Sequence, residues 1–190
     1  MDEGFFKKIL AQSLRRCRKD AIAPKPVSKA GIKNAHLSSA WVERIADELR
    51  RQYPEKSGYR VFSGGYKGNR PEFRLNEYLF DVTVIKTKTV KSASGRTVLK
   101  VPQNTLLHIE SEFHSRDSRA SIVDFGKLTM SAAKNKLLVL PSGGLIEKWA
   151  KAELPKLCHD CSGKFFLAFV PHPSEWAGRE EPKVQLLRAN

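Results

Sequence analysis

A continuous apolar run, KLLVLP at residues 136–141, most constrains the fold of this chain. A strand with one wet face alternates apolar and polar residues, whereas this run does not alternate and therefore predicts a strand buried on both faces. SIVDFGKLTMSAAKN, just before it, has helical spacing, and LIEKWAKAEL, just after it, predicts a second helix that Pro155 would end. We therefore expect an α/β fold in which helices flank a mixed sheet.

Further strand-type runs lie on both sides of this segment. The runs before it are GYRVFSG, FRLNEYLFDVTVIKTKTV, TVLKV and TLLHIESEF, and those after it are KFFLAFVP and the edge-strand candidate KVQLLR. The upstream runs are rich in β-branched and aromatic residues, and their spacing predicts an antiparallel meander that closes on residues 105–113. With the helix that precedes them, the predicted order is α–β–β–β–α–β–α–β–β.

The helix before the meander is predicted from Ser38 or Ser39, either of which can cap it, to about Tyr53, where Pro54 stops it. Its apolar stripe consists of Trp41, Val42, Ile45, Ala46 and Leu49. Glu48 lies at the edge of this stripe, whereas Glu43 is expected further round, toward solvent.

The N-terminal part of the chain is strongly basic. Residues 1–36 carry nine basic residues against three acids, and residues 3–19 fit a short amphipathic helix that the prolines of IAPKPVSKAG would break. We therefore treat residues 1–36 as a basic N-terminal arm or helix, followed by one domain of residues 37–190. Two roles are open: a docked helix with a solvated basic side, or an arm on a phosphate backbone.

The overall charge points to a polyanionic partner. Thirty-four Lys and Arg against 20 Asp and Glu give a net charge of +14, which favours nucleic acid first and an anionic membrane surface second. No apolar run approaches the ~20 residues of a membrane helix. MDEGFFKKIL has no secretory-signal pattern, and three cysteines are too few for a disulfide scaffold. We therefore expect a soluble, cytoplasmic protein.

Against this positive background, the segment LLHIESEFH contains a pair of acids. Alternation on a strand would place Glu110 and Glu112 on one face, together with His108, where like charges repel. A half-solvated sheet face on which the acids are simply wet is one interpretation. The other is a site where the glutamates bind a cation and His108 supports the glutamates.

A third acid strengthens the cation interpretation. Alternation over residues 78–85 places Asp81 on the same face as Glu77, with Tyr78, Phe80, Val82 and Val84 on the opposite face. If the two strands are neighbours, Asp81 approaches the glutamate pair. Three carboxylates at one point disfavour full ionisation unless a cation joins them, and hard cations such as Mg²⁺ bind through carboxylates, waters and substrate phosphates. A basic protein with such an acidic group is typical of metal-assisted phosphodiester chemistry.

Over residues 38–140 these features resemble the PD-(D/E)XK, or restriction-endonuclease-like, nuclease superfamily. In that family, an αβββαβ core carries one acid on the second core strand and a (D/E)-x-K on the third. Asp81 in NEYLFDV matches the first acid, and Glu110-Ser111-Glu112 matches the second element, with glutamate where lysine is usual. The resemblance implies an endonuclease, acting on DNA rather than RNA, with Mg²⁺ (or Mn²⁺) held by Asp81 and Glu110.

Because position 112 has glutamate where the family usually has lysine, the identity of the general base is undecided. Either Glu112 deprotonates water, or a lysine arrives from elsewhere, and Lys127 on the helix after the third core strand is the candidate; the alternative is a surface lysine. Glu48 resembles the acid on the first core helix that completes the metal shell in many members, and its alternative is an exposed helix glutamate. Glu77 is the next candidate for the metal.

Two basic segments are candidates for nucleic-acid contacts. The glycine-rich SGGYKGNRP contains Lys67 and Arg70; it lacks P-loop spacing, and an ordinary hairpin-type loop is the alternative. The second group flanks the KSASGR loop and consists of Lys86, Lys88, Lys91, Arg96 and Lys100.

The pair Cys158 and Cys161 in CHDC is either half of a zinc site, with His172 as a distant third ligand, or a pair of ordinary loop cysteines.

Three functions follow from the sequence. The first is a metal-dependent nuclease. The second is a catalytically inactive nucleic-acid-binding subunit of a larger complex on the same fold. The third is an interaction protein that docks an acidic partner or membrane. Nucleases of this kind often dimerise, so a homodimer or another protein partner is also possible, and we expect no membrane association.

Overall fold

The computed structural model of the chain describes residues 1–22, 30–113, 118–177 and 183–190, with backbone alone for residues 20–22 and 30–33. The predicted break at Pro24 and Pro26 lies outside the described residues. Within those ranges, no helix combines the length and the apolar character needed to cross a membrane.

The described residues form a mixed α/β fold with one six-stranded sheet flanked by helices. The helices are α1 (Glu3–Ile22), α2 (Ala30–Gln52), α3 (Arg70–Phe73), α4 (Ser118–Met130) and α5 (Gly144–Leu157). The strands are β1 (Tyr59–Ser63), β2 (Val82–Lys91), β3 (Val98–Ser111), β4 (Asn135–Pro141), β5 (Lys164–Val170) and β6 (Gln185–Arg188).

The strands lie in the sheet in chain order. β1, β2 and β3 form the predicted antiparallel meander, β3, β4 and β5 are parallel, and β6 pairs antiparallel with β5. Helices α4 and α5 provide the crossovers that parallel neighbours require. Every residue of β4 is buried, which confirms the prediction for KLLVLP. The edge strand predicted in KVQLLR is β6.

The core has one apolar layer on each face of the sheet. On the first face, α1 and α2 pack against the sheet through residues such as Leu10, Trp41 and Ile45. On the second face, α4 and α5 pack through residues such as Leu128 and Leu154. Helix α1 is thus docked on the sheet, as in the first of its two predicted roles.

The long strand predicted over FRLNEYLFD is wrong at its first half. Strand β2 begins only at Val82, after α3 and an irregular segment in which Arg74 and Leu79 have positive φ values of 59° and 21°. A regular strand cannot pass through such backbone, and the side-chain alternation is reset there. Phe80 therefore stacks on His108, next to the α4 and α5 layer, whereas Val82 lies in the opposite layer.

Two predicted helix ends also differ from the structure. Helix α2 begins at Ala30, and Ser38 lies inside it, where its Oγ donates to the Ala35 carbonyl oxygen (2.9 Å) instead of capping. Helix α5 continues through Pro155 to Leu157. A proline in the last turn of a helix removes one hydrogen bond but leaves few further turns to disrupt.

Candidate active site

The pairing of β2 with β3 brings two of the predicted acids together. Val82 pairs with Ile109, so Asp81, just before β2, lies beside Glu110. The Asp81 amide donates to Oε2 of Glu110 at 3.4 Å. The approach of Asp81 to Glu110, expected for neighbouring strands, is therefore present.

Helix α4 adds a lysine and a third acid to this pair. The Nζ of Lys127 lies 3.0 Å from Oε1 of Glu110 and 2.7 Å from Oδ1 of Asp124. We call Asp81, Glu110, Asp124 and Lys127 the carboxylate cluster. Asp124 was missed in the sequence, although its position three residues before Lys127 permits a helical ion pair. The cluster has three carboxylates and one ammonium group.

The carboxylate of Asp81 is fixed by the end of β3. Its Oδ2 accepts hydrogen bonds from the backbone N (2.9 Å) and the Oγ (2.6 Å) of Ser111. Within the described residues, its Oδ1 accepts no hydrogen bond. Asp81 therefore keeps one free carboxylate oxygen in a defined orientation.

Burial and mutual repulsion disturb the protonation of these acids. Burial first, and then the charge of Asp81, raise the pKa of Glu110 to about 7, although Lys127 opposes the change. Burial also raises the pKa of Asp81, with a further contribution from Asp124. For Lys127, burial would lower the pKa, but hydrogen bonds to Asp124 and Glu110 outweigh it and raise the pKa. At neutral pH, Lys127 is therefore a cation beside an excess of negative charge.

A cavity of about 530 Å³ opens beside Asp81, between α2, β1 and the end of β3. Two further acids line it, Glu43 from α2 and Glu77 from the irregular segment. The complete lining is His36, Ser38, Ser39, Ala40, Val42, Glu43, Gly64, Gly65, Glu77, Asp81 and Ser111. We call this cavity the acidic cleft.

The acid of α2 that faces the acidic cleft is Glu43 and not Glu48. Glu43 accepts hydrogen bonds from the Gly65 amide (2.6 Å) and the Ser63 hydroxyl (2.7 Å). Glu48 is buried between Arg16 (2.7 Å) and Arg51 (2.8 Å), so it holds α1 to α2. The sequence predicts Glu48 as a metal ligand or, alternatively, as an exposed glutamate. The structure instead shows a buried residue that pairs with two arginines.

The glycine pair that follows β1 makes room for the Glu43 carboxylate. A Cβ on Gly65 would lie only 2.7 Å from Cδ of Glu43. Glycine at 65 thus permits the close approach of backbone and carboxylate. The sequence predicts a loop at these glycines, but it does not indicate which acid meets them.

The structure does not place Glu112 in the carboxylate cluster. Strand β3 ends at Ser111, so strict alternation stops before Glu112, whose amide donates to the Val139 carbonyl oxygen (2.9 Å). Its side chain lines a second cavity of about 400 Å³, together with Phe113 and His172. Ser111 lines both cavities, so Glu112 and Asp81 lie on either side of it.

The buried His108 faces apolar and basic groups instead of the acids. Its ring stacks on Phe80 at a centroid distance of 3.7 Å. Burial and then the charge of Lys136 lower the pKa of His108 to about 4, so the ring is neutral at pH 7.

The basic residues predicted to contact nucleic acid differ in exposure and in whether they already bind other groups of the protein. Lys67 is exposed, and Nε of Arg70 donates to Oδ1 of Asn76. Lys86 donates to the Ser57 carbonyl oxygen, and Lys100 pairs with Glu72. Lys88, Lys91 and Arg96 are exposed, and none of these three forms an ion pair with a described residue.

The CHDC segment ends α5 as a turn. Cys158 is buried and Cys161 is half-buried, and both are free thiols. In the described part of the chain, no group of three or more His, Cys, Asp or Glu side chains is placed to hold a metal, so neither a zinc site here nor a complete metal cage elsewhere is formed by protein ligands.

A bound Mg²⁺ does not require such a cage. It commonly takes one or two protein carboxylates and completes its shell with water and substrate phosphates. Among the described residues, Oδ1 of Asp81 accepts no hydrogen bond, and Oε2 of Glu110 accepts only the long one from the Asp81 amide, so both oxygens are open to an ion. The chemistry of this donor pair fits a hard cation.

No match for this chain is found among protein-family models, curated proteins or solved structures. The restriction-endonuclease-like relationship therefore stays a prediction.

Proposed function

We propose that this chain is a nuclease that hydrolyses phosphodiester bonds, in DNA, with Mg²⁺ or Mn²⁺ as cofactor. The observation that carries the proposal is the pair of the half-buried Asp81 and the buried Glu110 beside the acidic cleft, in a protein of net charge +14. A restriction-endonuclease-like core, formed by α2, β1, β2, β3, α4 and β4, is part of the proposal. Its support is the αβββαβ order and the pairing of these strands.

In this proposal, Asp81 and Glu110 hold the metal ion. Such an ion lowers the pKa of a bound water and offsets negative charge on the phosphate. Ser111 keeps the Asp81 carboxylate oriented through its two hydrogen bonds. Glu43 and Glu77 add negative charge to the acidic cleft, which favours a hydrated cation there.

The protonation of Lys127 separates its possible roles. Its pKa is raised by Asp124 and Glu110, so it is charged at neutral pH and does not act as the base. Lys127 instead supplies positive charge to the phosphate as negative charge develops there. Of the two residues considered for the base, this leaves Glu112, which lies on the other side of Ser111 from Asp81.

The proposal is tested by hydrolysis of plasmid and single-stranded DNA with Mg²⁺ or Mn²⁺. Asp81→Asn and Glu110→Gln should each reduce the rate by about 1,000-fold, since several kcal/mol of charge stabilisation are lost. Asp160→Asn and Glu153→Gln make the same chemical changes at exposed positions and should retain the wild-type rate. Wild-type protein that leaves DNA intact, or hydrolysis that survives both site substitutions, would contradict the proposal.

A second candidate is a nucleic-acid-binding protein of the same fold without catalysis. Its specific support is that Lys127 already occupies one oxygen of Glu110 and one of Asp124, so part of the cluster is satisfied within the protein. This candidate predicts DNA binding that falls with salt but does not change with added metal or with Asp81→Asn.

A further inference from the structure

The far halves of β2 and β3 form a two-stranded ribbon that leaves the body of the sheet. β1 pairs with β2 only as far as Lys86, and β4 pairs with β3 only from Leu107 onward. Between these limits, residues 88–91 pair with residues 98–101 and with no third strand among the described residues. We call residues 88–101 the ribbon.

The ribbon is positively charged throughout. From Val82 to Ile109 the chain contains five Lys or Arg residues and no acid. Two of these five cations are used within the protein: Lys86 lies 4.2 Å from the centre of the Tyr59 ring, and Lys100 is 2.6 Å from Glu72. The other three cations, Lys88, Lys91 and Arg96, are exposed and have no ion pair with described residues.

These three free cations point in different directions. Residues that pair across two strands share a face, so Lys88 lies with Val101 on one face and Lys91 lies with Val98 on the other. Arg96 lies in the turn, which the Ser92–Thr97 hydrogen bond closes (2.8 Å). The ribbon therefore carries positive charge on both faces and at its tip.

We propose that the ribbon enters the major groove of duplex DNA tip first, so that Lys88 and Lys91 reach the phosphates on opposite walls. The groove of B-form DNA is about 12 Å wide and admits a two-stranded β-ribbon. The exposed Val90, Val98 and Leu99 behind the tip then contact apolar groups such as thymine methyls. This inference rests on the proposed function for nucleic acid as the partner. It specifies duplex DNA, because the major groove of duplex RNA is too deep and narrow for this contact.

The distribution of polar and apolar residues argues against an anionic membrane as the partner. A flat surface can neutralise one face of the ribbon, whereas the free lysines occupy both. The turn itself is SASGRT, so its tip is polar, and the exposed apolar side chains lie behind it. A hairpin that inserts into lipid needs its apolar residues at the tip.

The test measures binding of the full chain to a short duplex and to one of its single strands, over a range of salt concentrations. It is done in EDTA and in the Asp81→Asn background, so that hydrolysis plays no part. The test variant carries Lys88→Gln, Lys91→Gln and Arg96→Gln. The matched control carries Lys148→Gln, Lys164→Gln and Lys183→Gln, which remove the same charge from exposed positions with no ion pair among the described residues.

We expect the ribbon variant to lose affinity for the duplex on the order of 100-fold at about 0.1 M salt, with the slope of log K against log salt reduced by roughly 2 to 3. The control variant should change the slope by less than about one. Wild-type protein should bind the duplex more tightly than the single strand.

Three results would overturn the inference. The first is equal losses in the ribbon and control variants, which would mean general charge attraction. The second is equal affinity for duplex and single strand. The third is that the ribbon substitutions abolish binding to phosphatidylserine vesicles but leave binding to DNA unchanged. An inactive nuclease assay, by contrast, would overturn the proposed hydrolysis and leave this binding result intact.

Discussion

Two ionic clusters along the β2–β3 pair contain the same kinds of group but differ in their balance of acids and cations. The carboxylate cluster has three acids and one lysine, and the Glu110 side chain is only 4% exposed. Between β1 and the ribbon, Glu72 lies between Arg60 (2.7 Å) and Lys100 (2.6 Å), with its side chain 34% exposed, and Arg60 also pairs with the more exposed Glu55 (3.7 Å). We call Arg60, Glu72 and Lys100 the root cluster.

The balance of charge in each cluster decides whether the pKa of its central acid is raised or lowered. Burial and Asp81 raise the pKa of Glu110 to about 7. Burial would also raise the pKa of Glu72, but hydrogen bonds from Lys100 and Arg60 outweigh it and lower the pKa. The root cluster is satisfied within the protein, whereas the carboxylate cluster has excess negative charge that a bound cation would offset. Acids with raised pKa values, as in the carboxylate cluster, are typical of functional sites.

The largest expected effect is on the pH dependence of stability. Glu110 has a folded pKa of about 7 against an ordinary value of 4.5, so wild-type stability should fall as pH rises from about 4.5 to 7, by up to about 3 kcal/mol. Glu110→Gln cannot ionise and should escape this loss. Urea unfolding in EDTA should show the two proteins similar at pH 4.5 and the variant more stable at pH 8. If the free energies of unfolding of the two proteins changed equally with pH, the proposed difference between the two clusters would be contradicted.

Removing the single cation should be the next largest effect. Lys127→Met leaves three acids without a counter-charge and should lower the free energy of unfolding at pH 8 by about 2 kcal/mol. This is less than for a fully buried pair, because Lys127 is 41% exposed. Lys100→Met is the matched change in the root cluster, where Glu72 keeps Arg60, and should cost roughly 0.5 kcal/mol or less. Equal losses in both variants would contradict the comparison.

Added Mg²⁺ should stabilise the folded protein through the carboxylate cluster. At a concentration ten times the dissociation constant, linkage gives about 1.4 kcal/mol. Thermal unfolding should therefore move to a higher temperature with Mg²⁺ in the wild type but not in Glu110→Gln. A shift of equal size in both proteins would locate the cation elsewhere.

The smallest effect is expected in the root cluster, and its pH dependence has the opposite sign. Glu72→Gln should lower the free energy of unfolding by about 1 kcal/mol at pH 7, the upper range for a partly exposed pair. Because the folded pKa of Glu72 is lowered, this contribution is present above its unfolded pKa and disappears as pH falls through the folded pKa. Glu153→Gln, at an exposed position, serves as the control. A stability difference that grows on acidification would contradict this assignment.

Much of the fold could be predicted because local patterns report burial directly. The unbroken apolar run of β4 indicated a strand covered on both faces, and the stripe of α2 that contains Trp41 and Ile45 packs as expected. The proximity of Asp81 to Glu110 required only that consecutive strands be neighbours. Alternation failed where the backbone left the strand geometry, before Val82 and after Ser111. This is why Phe80 was assigned to the wrong face and why Glu112 lies apart from Glu110.

By itself, the sequence determined the apolar layers, the strand order of the meander and the presence of acids at the junction of β2 and β3, since these depend on periodicity and on contacts between chain neighbours. Only the tertiary structure decided which charges meet. Glu43 and not Glu48 faces the acidic cleft, Lys127 and not Glu112 joins Glu110, and Lys100 is held by Glu72 while Lys88 has no ion pair within the described ranges. A long side chain can reach any of several partners, and its choice depends on distances between elements that are remote in sequence.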